Sequence, residues 1–501
     1  MSSEFFNVSL FPYCGLSLND DNGLSRVRSS DPDCSSLSIY LNEYTAKVAE
    51  EAGSAIQNNS VLRHLNVISC GECRPELYKP LIQGICKNMS ISSLNIYNGG
   101  GDTHMWGLLA QLTTMYVRSL TLSGGEIDAR MSNMLSYGLS RNTCIENITL
   151  SNIQGNFQPT KNIFDSICTP NSSVMVLKVL YVRHVLIQHL ADALTHGKSL
   201  KELTLCHLDP VTEAGWISFF SGFSQETSNL STLKVFGLKA SNVDDINDNV
   251  VRSMIDALCR NNKLEELHIG YSPSITEHGW VIFSQVFRNS SISAFNNDSI
   301  SALKVVYIDC CDSFTDVALA AFIEALRVNS TLEVLFIQVP PLHERDRISL
   351  TLTLEGLEAY VGLLCDTTNV QATRYSNHTL YHIGHLELMS WCRWLRILGY
   401  PNRENEDLER MRQKISHLLR MNAKLDKNMV ARRKVIQCHF ADGSFDVNTH
   451  HALVEKELLP QTIHWFARDE LGFSVVYDLL KKNSGSLSIN SSFISKKRRI
   501  A

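Results

Sequence analysis

Apolar and polar residues alternate in short bursts along most of this chain, and the bursts recur in one phrase. Asn59-Ser60-Val61-Leu62-Arg63-His64-Leu65-Asn66-Val67 begins with Asn and then spaces its apolar residues as L-x-x-L-x-L. The phrase returns as Asn261 leading into Leu264, Leu267 and Ile269, as Asn329 leading into Leu332, Leu335 and Ile337, and as Asn377 leading into Leu380 and Ile383. Each triplet ends in an apolar-polar-apolar alternation, the period-two pattern of a strand with one buried face. Such triplets fall at Cys34/Leu37/Ile39, Leu62/Leu65/Val67, Ile91/Leu94/Ile96, Val117/Leu120/Leu122, Ile145/Ile148/Leu150 and Val174/Leu177/Val179. They continue at Leu200/Leu203/Leu205, Leu230/Leu233/Val235, Leu264/Leu267/Ile269, Leu303/Val306/Ile308, Leu332/Leu335/Ile337 and, more weakly, Leu380/Ile383/His385. Most are 26 to 30 residues apart, and the longer intervals before Leu303 and Leu380 predict insertions.

The stretches between triplets carry the helical period. Over 277–288, Trp280, Val281, Phe283, Ser284 and Phe287 fall on roughly one face, and over 316–328 Leu319, Ala320, Phe322, Ile323 and Leu326 do the same. A strand, a turn and a helix of this size cannot bury an apolar face alone. Stacked copies can, between a parallel sheet and a helix layer, and bulky helices behind short strands make the stack curve. The recurrent Asn (59, 88, 142, 171, 261, 329 and 377, with Gly197 once in its place) stands where a helix ends. Asn and Gly tolerate the left-handed conformation best, so a left-handed helix terminus is expected there.

The phrase N-x-[ST]-L-x-x-L-x-L followed by a helix resembles the long repeat of ribonuclease-inhibitor-type leucine-rich-repeat proteins, over roughly residues 31–390. The resemblance implies an α/β fold: a curved solenoid with a parallel sheet on the concave face and helices on the convex face. The family's asparagine after the triplet is missing. Asn42, Cys70, Gly99, Gly125, Ile153, Val182, Leu208, Leu238, Ser272 and Cys311 stand at that place. Irregular strand-to-helix turns are therefore expected.

From Arg403 the pattern changes. Residues 404–424 are highly charged, with Leu408, Met411, Ile415, Leu418 and Leu419 at helical spacing, and 429–440, 449–458, 461–468 and 473–482 read as further helices. The phrases Ala431-Arg432-Arg433-Lys434-Val435-Ile436 and Leu459-Pro460-Gln461-Thr462-Ile463-His464-Trp465 resemble the C-terminal region of uncharacterised diatom-type leucine-rich-repeat proteins, which implies no activity. A solenoid needs its last core layer covered, so an α-helical cap is expected. The organisation expected is an N-terminal cap or extension over 1–33, about twelve repeats over 34–390, a helical C-terminal domain over 391–483 and a disordered basic tail over 484–501.

Composition narrows the class. The apolar share of 44% and charged share of 19% are those of a folded protein. No apolar run approaches the roughly 18 residues of a membrane helix, and residues 1–10 lack the basic region and apolar core of a signal peptide. Fourteen cysteines without a framework spacing fit reduced thiols. Together these point to a cytoplasmic protein, with a nuclear location open through the tail Lys496, Lys497, Arg498 and Arg499, which reads either as an import signal or as a solvated end. Residues 1–384 carry 26 Lys+Arg against 38 Asp+Glu, a net of −12, while 385–501 carry 20 against 13, a net of +7. The acidic repeats argue against nucleic acid as their ligand.

Catalytic signatures are weak. Cys70-Gly71-Glu72-Cys73 and Cys310-Cys311 sit in repeat turns, no second C-x-x-C completes a zinc site, and His378, His382 and His385 lie near a strand whose alternation would separate them. Asn98-Gly99-Gly100-Gly101-Asp102 lacks the Lys-Ser/Thr of a phosphate loop. Catalytic residues, metals, cofactors and small-molecule ligands are therefore not expected. The residues between the leucines are more informative. A middle column runs Ser38, Asn66, Asn95, Thr121, Thr149, Lys178, Thr204, Lys234, His268, Tyr307 and Phe336, and a neighbouring one includes Tyr40, Tyr97, Leu180, Phe236 and Gln338. Its later part turns aromatic and apolar. Phe236, His268, Val305, Tyr307, Val334, Phe336 and Gln338 are the candidate partner-binding residues on the concave face. The other reading is that the insertion at 340–352 or the cap folds over them. The function expected is a non-enzymatic scaffold for a protein partner; the alternative is a regulator of an enzyme, such as a GTPase-activating or ubiquitin-ligase adaptor protein.

Overall fold

A computed structural model describes residues 16–17, 23–41, 45–69, 75–98, 115–152, 154–155, 157–169, 172–181, 187–196, 199–206, 211–223, 229–236, 246–261, 263–270, 272–288, 302–309, 313–338, 354–383 and 402–439. The sequence features at 70–73, 99–102, 310–311, 340–352, 449–482 and 484–501, with Lys496, Lys497, Arg498 and Arg499, lie outside the described residues, as do Asn171, Gly197 and His385. The chain divides into two compact units, one within Met1–Ala321 and Leu335–Leu350, the other within Phe322–Val334 and Thr351–Ala501.

In the first unit, strands β1 (Leu16–Ser17), β2 (Ser36–Tyr40), β3 (His64–Ser69), β4 (Ser93–Asn98) and β5 (Ser119–Ser123) lead the chain order. After them come β6 (Glu126–Ile127), β7 (Asn147–Ser151), β8 (Gln154–Gly155), β9 (Val176–Leu180), β10 (Glu202–Cys206), β11 (Thr232–Phe236), β12 (Glu266–Gly270), β13 (Val305–Asp309) and β14 (Val334–Gln338). Apart from the short β6–β8 pair, they form one open sheet in the order of the chain. Neighbours from β1 to β13 are all parallel. The alternation explains the core: Leu37, Ile39, Leu65, Leu94, Ile96, Leu120, Leu122, Leu177, Val179, Leu203, Leu233, Leu267 and Val306 are essentially inaccessible. A strand that the leucine triplets did not disclose, β1, extends this parallel order before the first triplet.

Helices alternate with the strands: α1 (Gly23–Arg28), α2 (Ala46–Asn58), α3 (Pro75–Lys87), α4 (Ala129–Arg141), α5 (Phe157–Ile167), α6 (Ile187–His196), α7 (Glu213–Phe223), α8 (Asp248–Arg260), α9 (Glu277–Phe283) and α10 (Asp316–Arg327). The helix expected over 277–288 closes as a 3-10 turn at Ser284–Phe287. The repeated parallel strands and intervening helices make this a leucine-rich-repeat solenoid.

The recurrent Asn does not take the left-handed conformation expected of it. Asn59 has φ −76° and ψ 130°, and Asn261 φ −92° and ψ 109°, both extended. Its side chain is what the repeat uses. Asn88 Oδ1 accepts from the backbone N–H of Ser90 and Ile91 at 2.7 and 2.9 Å, folding the chain into the next strand. Its Nδ2 donates to the carbonyls of Ile56 and Asn59, one repeat earlier, at 2.6 and 2.7 Å. Asn59 repeats the pattern with Val61, Leu62 and the Val27 carbonyl, and Asn142 with Cys144, Ile145 and the Met115 carbonyl. A buried amide thereby satisfies backbone groups that neither helix nor sheet can reach. Among the described residues, left-handed conformations occur instead at Ser30, just past α1, at Gly125, and just past strands at Gly124, Asn152 and Tyr181, these last three with φ of 76°, 50° and 52°. Gly124, Asn152 and Tyr181 each donate their N–H to the end of the following repeat's strand, at Ser151, Leu180 and Cys206.

The second unit holds α11 (Leu354–Leu364), α12 (Val370–Tyr375), β15 (His382–Ile383), α13 (Asn402–Lys424) and α14 (Lys427–His439). Asn329 Oδ1 again accepts from the N–H of Thr331 and Leu332. Asn377 keeps both halves of the role: its Nδ2 reaches the Leu326 and Asn329 carbonyls, and its Oδ1 accepts from Thr379 and Leu380. The charged helix α13 then supplies Asn422, which donates to the Leu380 and Asn377 carbonyls at 2.6 and 3.3 Å. The donor half of the next rung thus comes from a helix, while Asn422 Oδ1 has no hydrogen-bond partner among the described residues. The signal was present in the sequence, since Asn422-Ala423-Lys424-Leu425 is the opening of the repeat phrase.

Candidate functional site

Strand register lines up the residues between the leucines. Ser38, Asn66, Asn95, Thr121, Thr149, Lys178, Thr204, Lys234, His268 and Tyr307 are successive cross-strand partners from β2 to β13. Because alternate side chains point to opposite faces, this column occupies the face away from the buried leucines. Its chemistry changes along the array. At the start Asn66 Nδ2 donates to Ser38 Oγ at 3.0 Å and Asn95 Nδ2 to Asn66 Oδ1 at 2.8 Å. These amides are largely self-satisfied.

The middle is charged. Lys234 Nζ lies 3.6 Å from Glu202 Oε1 and 3.9 Å from Glu266 Oε1, held between carboxylates on the flanking strands. Glu266 also accepts from Thr232 Oγ1 at 3.3 Å and contacts His268 Nε2 at 2.5 Å. Nε2 of His268 therefore carries the proton in the neutral ring. Burial lowers the His268 pKa, while the hydrogen bond and charge of Glu266 oppose the shift. The imidazole is only 7% exposed.

The last part is aromatic. The His268 ring stacks on Tyr307 with centroids 4.2 Å apart and planes at 25°, and Tyr307 meets Phe336 at 5.4 Å and 39°. Three rings from β12, β13 and β14 form one continuous strip; Tyr307 and Phe336 keep part of their surface open to solvent, and Val305 beside them is likewise half-buried. Val334 is 8% exposed and packs as a core residue does. Phe236 and Gln338 end β11 and β14, and their side chains lie outside the described residues. The structure thus brings His268, Tyr307 and Phe336 into contact. The sequence reading passed over Glu202 and Glu266, whose signal is a carboxylate two places before a column residue on strands either side of Lys234.

Among the described residues, no group of three His, Cys, Asp or Glu could hold a metal ion. His378, from the histidine cluster, has both nitrogens engaged, at 2.9 Å from the Arg374 carbonyl and 3.2 Å from Lys434 Nζ. No helix among the described residues is long and apolar enough to cross a membrane.

No family model matches the chain, and no curated protein matches it. Solved structures do. A structure described as leiomodin-1 actin-binding site 2 aligns with 12% identity and a TM-score of 0.20, over 40% of this chain and 84% of that one. A complex of TLR13 with ssRNA13 aligns with 11% identity and a TM-score of 0.30, over 62% of this chain and 43% of that one. The leucine-rich-repeat assignment stands on this chain's own register and core.

Proposed function

We propose that this protein is a non-enzymatic interaction scaffold whose repeat array binds a protein partner on the concave face of its sheet. The observation that carries the reading is the strip of His268, Tyr307 and Phe336 beside the Glu202–Lys234–Glu266 row. Part-exposed rings on a rigid sheet offer apolar area at little ordering cost, and the charged row beside them restricts which partner can dock. The amides of the first strands are already hydrogen-bonded to one another and have less to offer.

The test begins with affinity purification of the full chain and identification of co-purifying proteins. A candidate partner is then purified and its direct affinity measured for wild type and for Tyr307→Ala with Phe336→Ala. Loss of two anchors is expected to weaken binding by about a hundredfold or more, with an unchanged circular-dichroism spectrum. An unaltered Kd in a folded double variant sinks the reading.

A further inference from the structure

The second unit contains a pair of thiols that the scaffold role does not use. Cys365, just past α11, is 2% exposed, while Cys438, near the end of α14, is exposed. They lie 73 residues apart in sequence, yet their sulfurs are 3.3 Å apart. Lys434 sits one turn before Cys438 on α14 and donates to the Leu364 carbonyl at 2.5 Å, which fixes that helix against the end of α11. Asn377 and His378 receive the same ammonium at 3.4 and 3.2 Å. On the other side of the pair, Thr373 Oγ1 and His439 Nε2 are 2.7 Å apart, linking α12 to α14. The two sulfurs are thus held by anchors on both sides rather than meeting by chance on loose segments.

We propose that Cys365 and Cys438 form a peroxide-responsive thiol pair in which Cys438 is the residue oxidised first and Cys365 resolves it into a reversible disulfide. The accessible sulfur is the one a hydroperoxide can reach, and the buried sulfur is the one already in position to attack. Either sulfur can donate in the hydrogen bond between them. That bond first, and then Lys414 and Lys434, favour the Cys438 thiolate against the effect of burial, while the same bond and burial together hold Cys365 as the thiol. Low thiolate pKa with exposure beside a second cysteine is the arrangement that makes a thiol oxidisable.

The chemistry balances with a hydroperoxide as oxidant. Cys438 thiolate attacks the terminal peroxide oxygen; the S–O bond forms, the O–O bond breaks and the alcohol, or water, leaves after taking a proton. Cys438 is now a sulfenic acid. The Cys365 sulfur attacks it, the S–S bond forms, the S–O bond breaks, and hydroxide leaves as water with the Cys365 proton. Two thiols lose two electrons and two protons, and the peroxide is reduced by two electrons. A dithiol reverses the step by exchange. The disulfide would tie α14 to the end of α11 and close a long loop, restricting how far the unit opens.

The experiment uses the full chain, treated with hydrogen peroxide, blocked with a thiol alkylator, and digested without reduction. The expected result is a cross-linked peptide joining Cys365 to Cys438, forming before any other pairing among the fourteen cysteines and disappearing with dithiothreitol. In Cys365→Ser, Cys438 is expected to accumulate a dimedone-reactive sulfenic acid instead. Limited proteolysis within α13 and α14 is expected to slow by on the order of a hundredfold on oxidation of the wild type, from the loop-closure effect of a disulfide, and not to slow in Cys365→Ser. Three results would overturn the proposal: no 365–438 cross-link when other thiols are oxidised, its formation only after unfolding in urea, or an equal dimedone yield at Cys438 in wild type and Cys365→Ser. The peptide map needs no variant, so a folding defect in Cys365→Ser would not leave the question open.

Discussion

Asn88 shows how much one side chain does in this fold. Four of its side-chain hydrogen bonds satisfy two backbone N–H groups ahead of it and two carbonyls behind it, and a fifth comes from Ser90 Oγ, all at a site only 3% exposed. Alanine leaves those groups buried without partners, at about 1–3 kcal/mol each when water cannot enter. Asn88→Ala is therefore expected to cost about 3 kcal/mol in chemical denaturation. Asn88→Asp, nearly the same shape, is expected to be no better, because an oxygen would then face the Ile56 and Asn59 carbonyls. The position was legible in the sequence because the residue recurs; its reason was not, because recurrence cannot distinguish a backbone preference from a hydrogen-bonding one. His378 shows the converse. It stands in the sequence near His382 and His385, which strand alternation would separate, and the fold makes it a neutral acceptor for Lys434 with its Nε2–H given to the Arg374 carbonyl. Burial first, then the charges of Lys434 and Lys427, push its pKa from 6.5 down to about 4, against the Arg374 hydrogen bond. Between those values the unfolded chain takes up a proton that the folded chain refuses, so stability falls as pH falls. The full loss is on the order of 3 kcal/mol before discounting for solvent screening. His378→Gln is expected to flatten the fall in urea midpoint between pH 6.5 and pH 4; an unchanged slope would assign it to other groups.

At the scale of elements, two glycines set how closely α2 and α3 approach. A Cβ on Gly84 would stand 2.1 Å from the Gly53 carbonyl oxygen, and one on Gly53 would stand 2.3 Å from the Pro80 carbonyl oxygen. The clashes are with backbone, which cannot rotate away. Gly84→Ala is expected to lower stability by about 3 kcal/mol as the helices are forced apart. Gly362 in α11 provides the contrast: its nearest neighbour would be the Arg327 guanidinium at 3.7 Å. There alanine is expected to be neutral or to stabilise by about 0.5–1 kcal/mol, since glycine is the poorer helix former. Urea midpoints of the two variants measure both effects. Strands and helices were well forecast because each repeat enforces its own two- and 3.6-residue periods locally. The expected cross-strand column also appears in register from Ser38 to Tyr307. Side-chain contacts between different elements were not legible: Cys365 and Cys438, or Lys234 between Glu202 and Glu266 on the neighbouring strands, become neighbours only in the folded chain. The short strand Leu16–Ser17 was missed because two residues carry no periodicity.

At the scale of the molecule, the parallel register makes the first unit a nearly one-dimensional array in which each strand bonds only to the strands before and after it. Stability in such an array is a sum of unit and nearest-neighbour contributions, so damage should stay near its origin. That logic separates the roles assigned along the sheet. The Asn59–Asn88 rungs and the Gly53–Gly84 contact support β3 and β4, whereas the ring strip rests on β12, β13 and β14, many repeats away. Hydrogen exchange gives each segment its own reading. In Asn88→Ala, amides of β3, β4 and the adjoining helices are expected to exchange faster, on the order of a hundredfold for a loss near 3 kcal/mol, while β11 to β13 keep wild-type rates. Tyr307→Ala with Phe336→Ala should do the reverse, with modest acceleration confined to β12 through β14 and none at β3. Equal acceleration in every strand would mean that the first unit unfolds as one cooperative body, and a distant substitution could then abolish partner binding without touching the face that carries it. Local acceleration would instead make the binding and folding effects of any substitution separable by its position along the array.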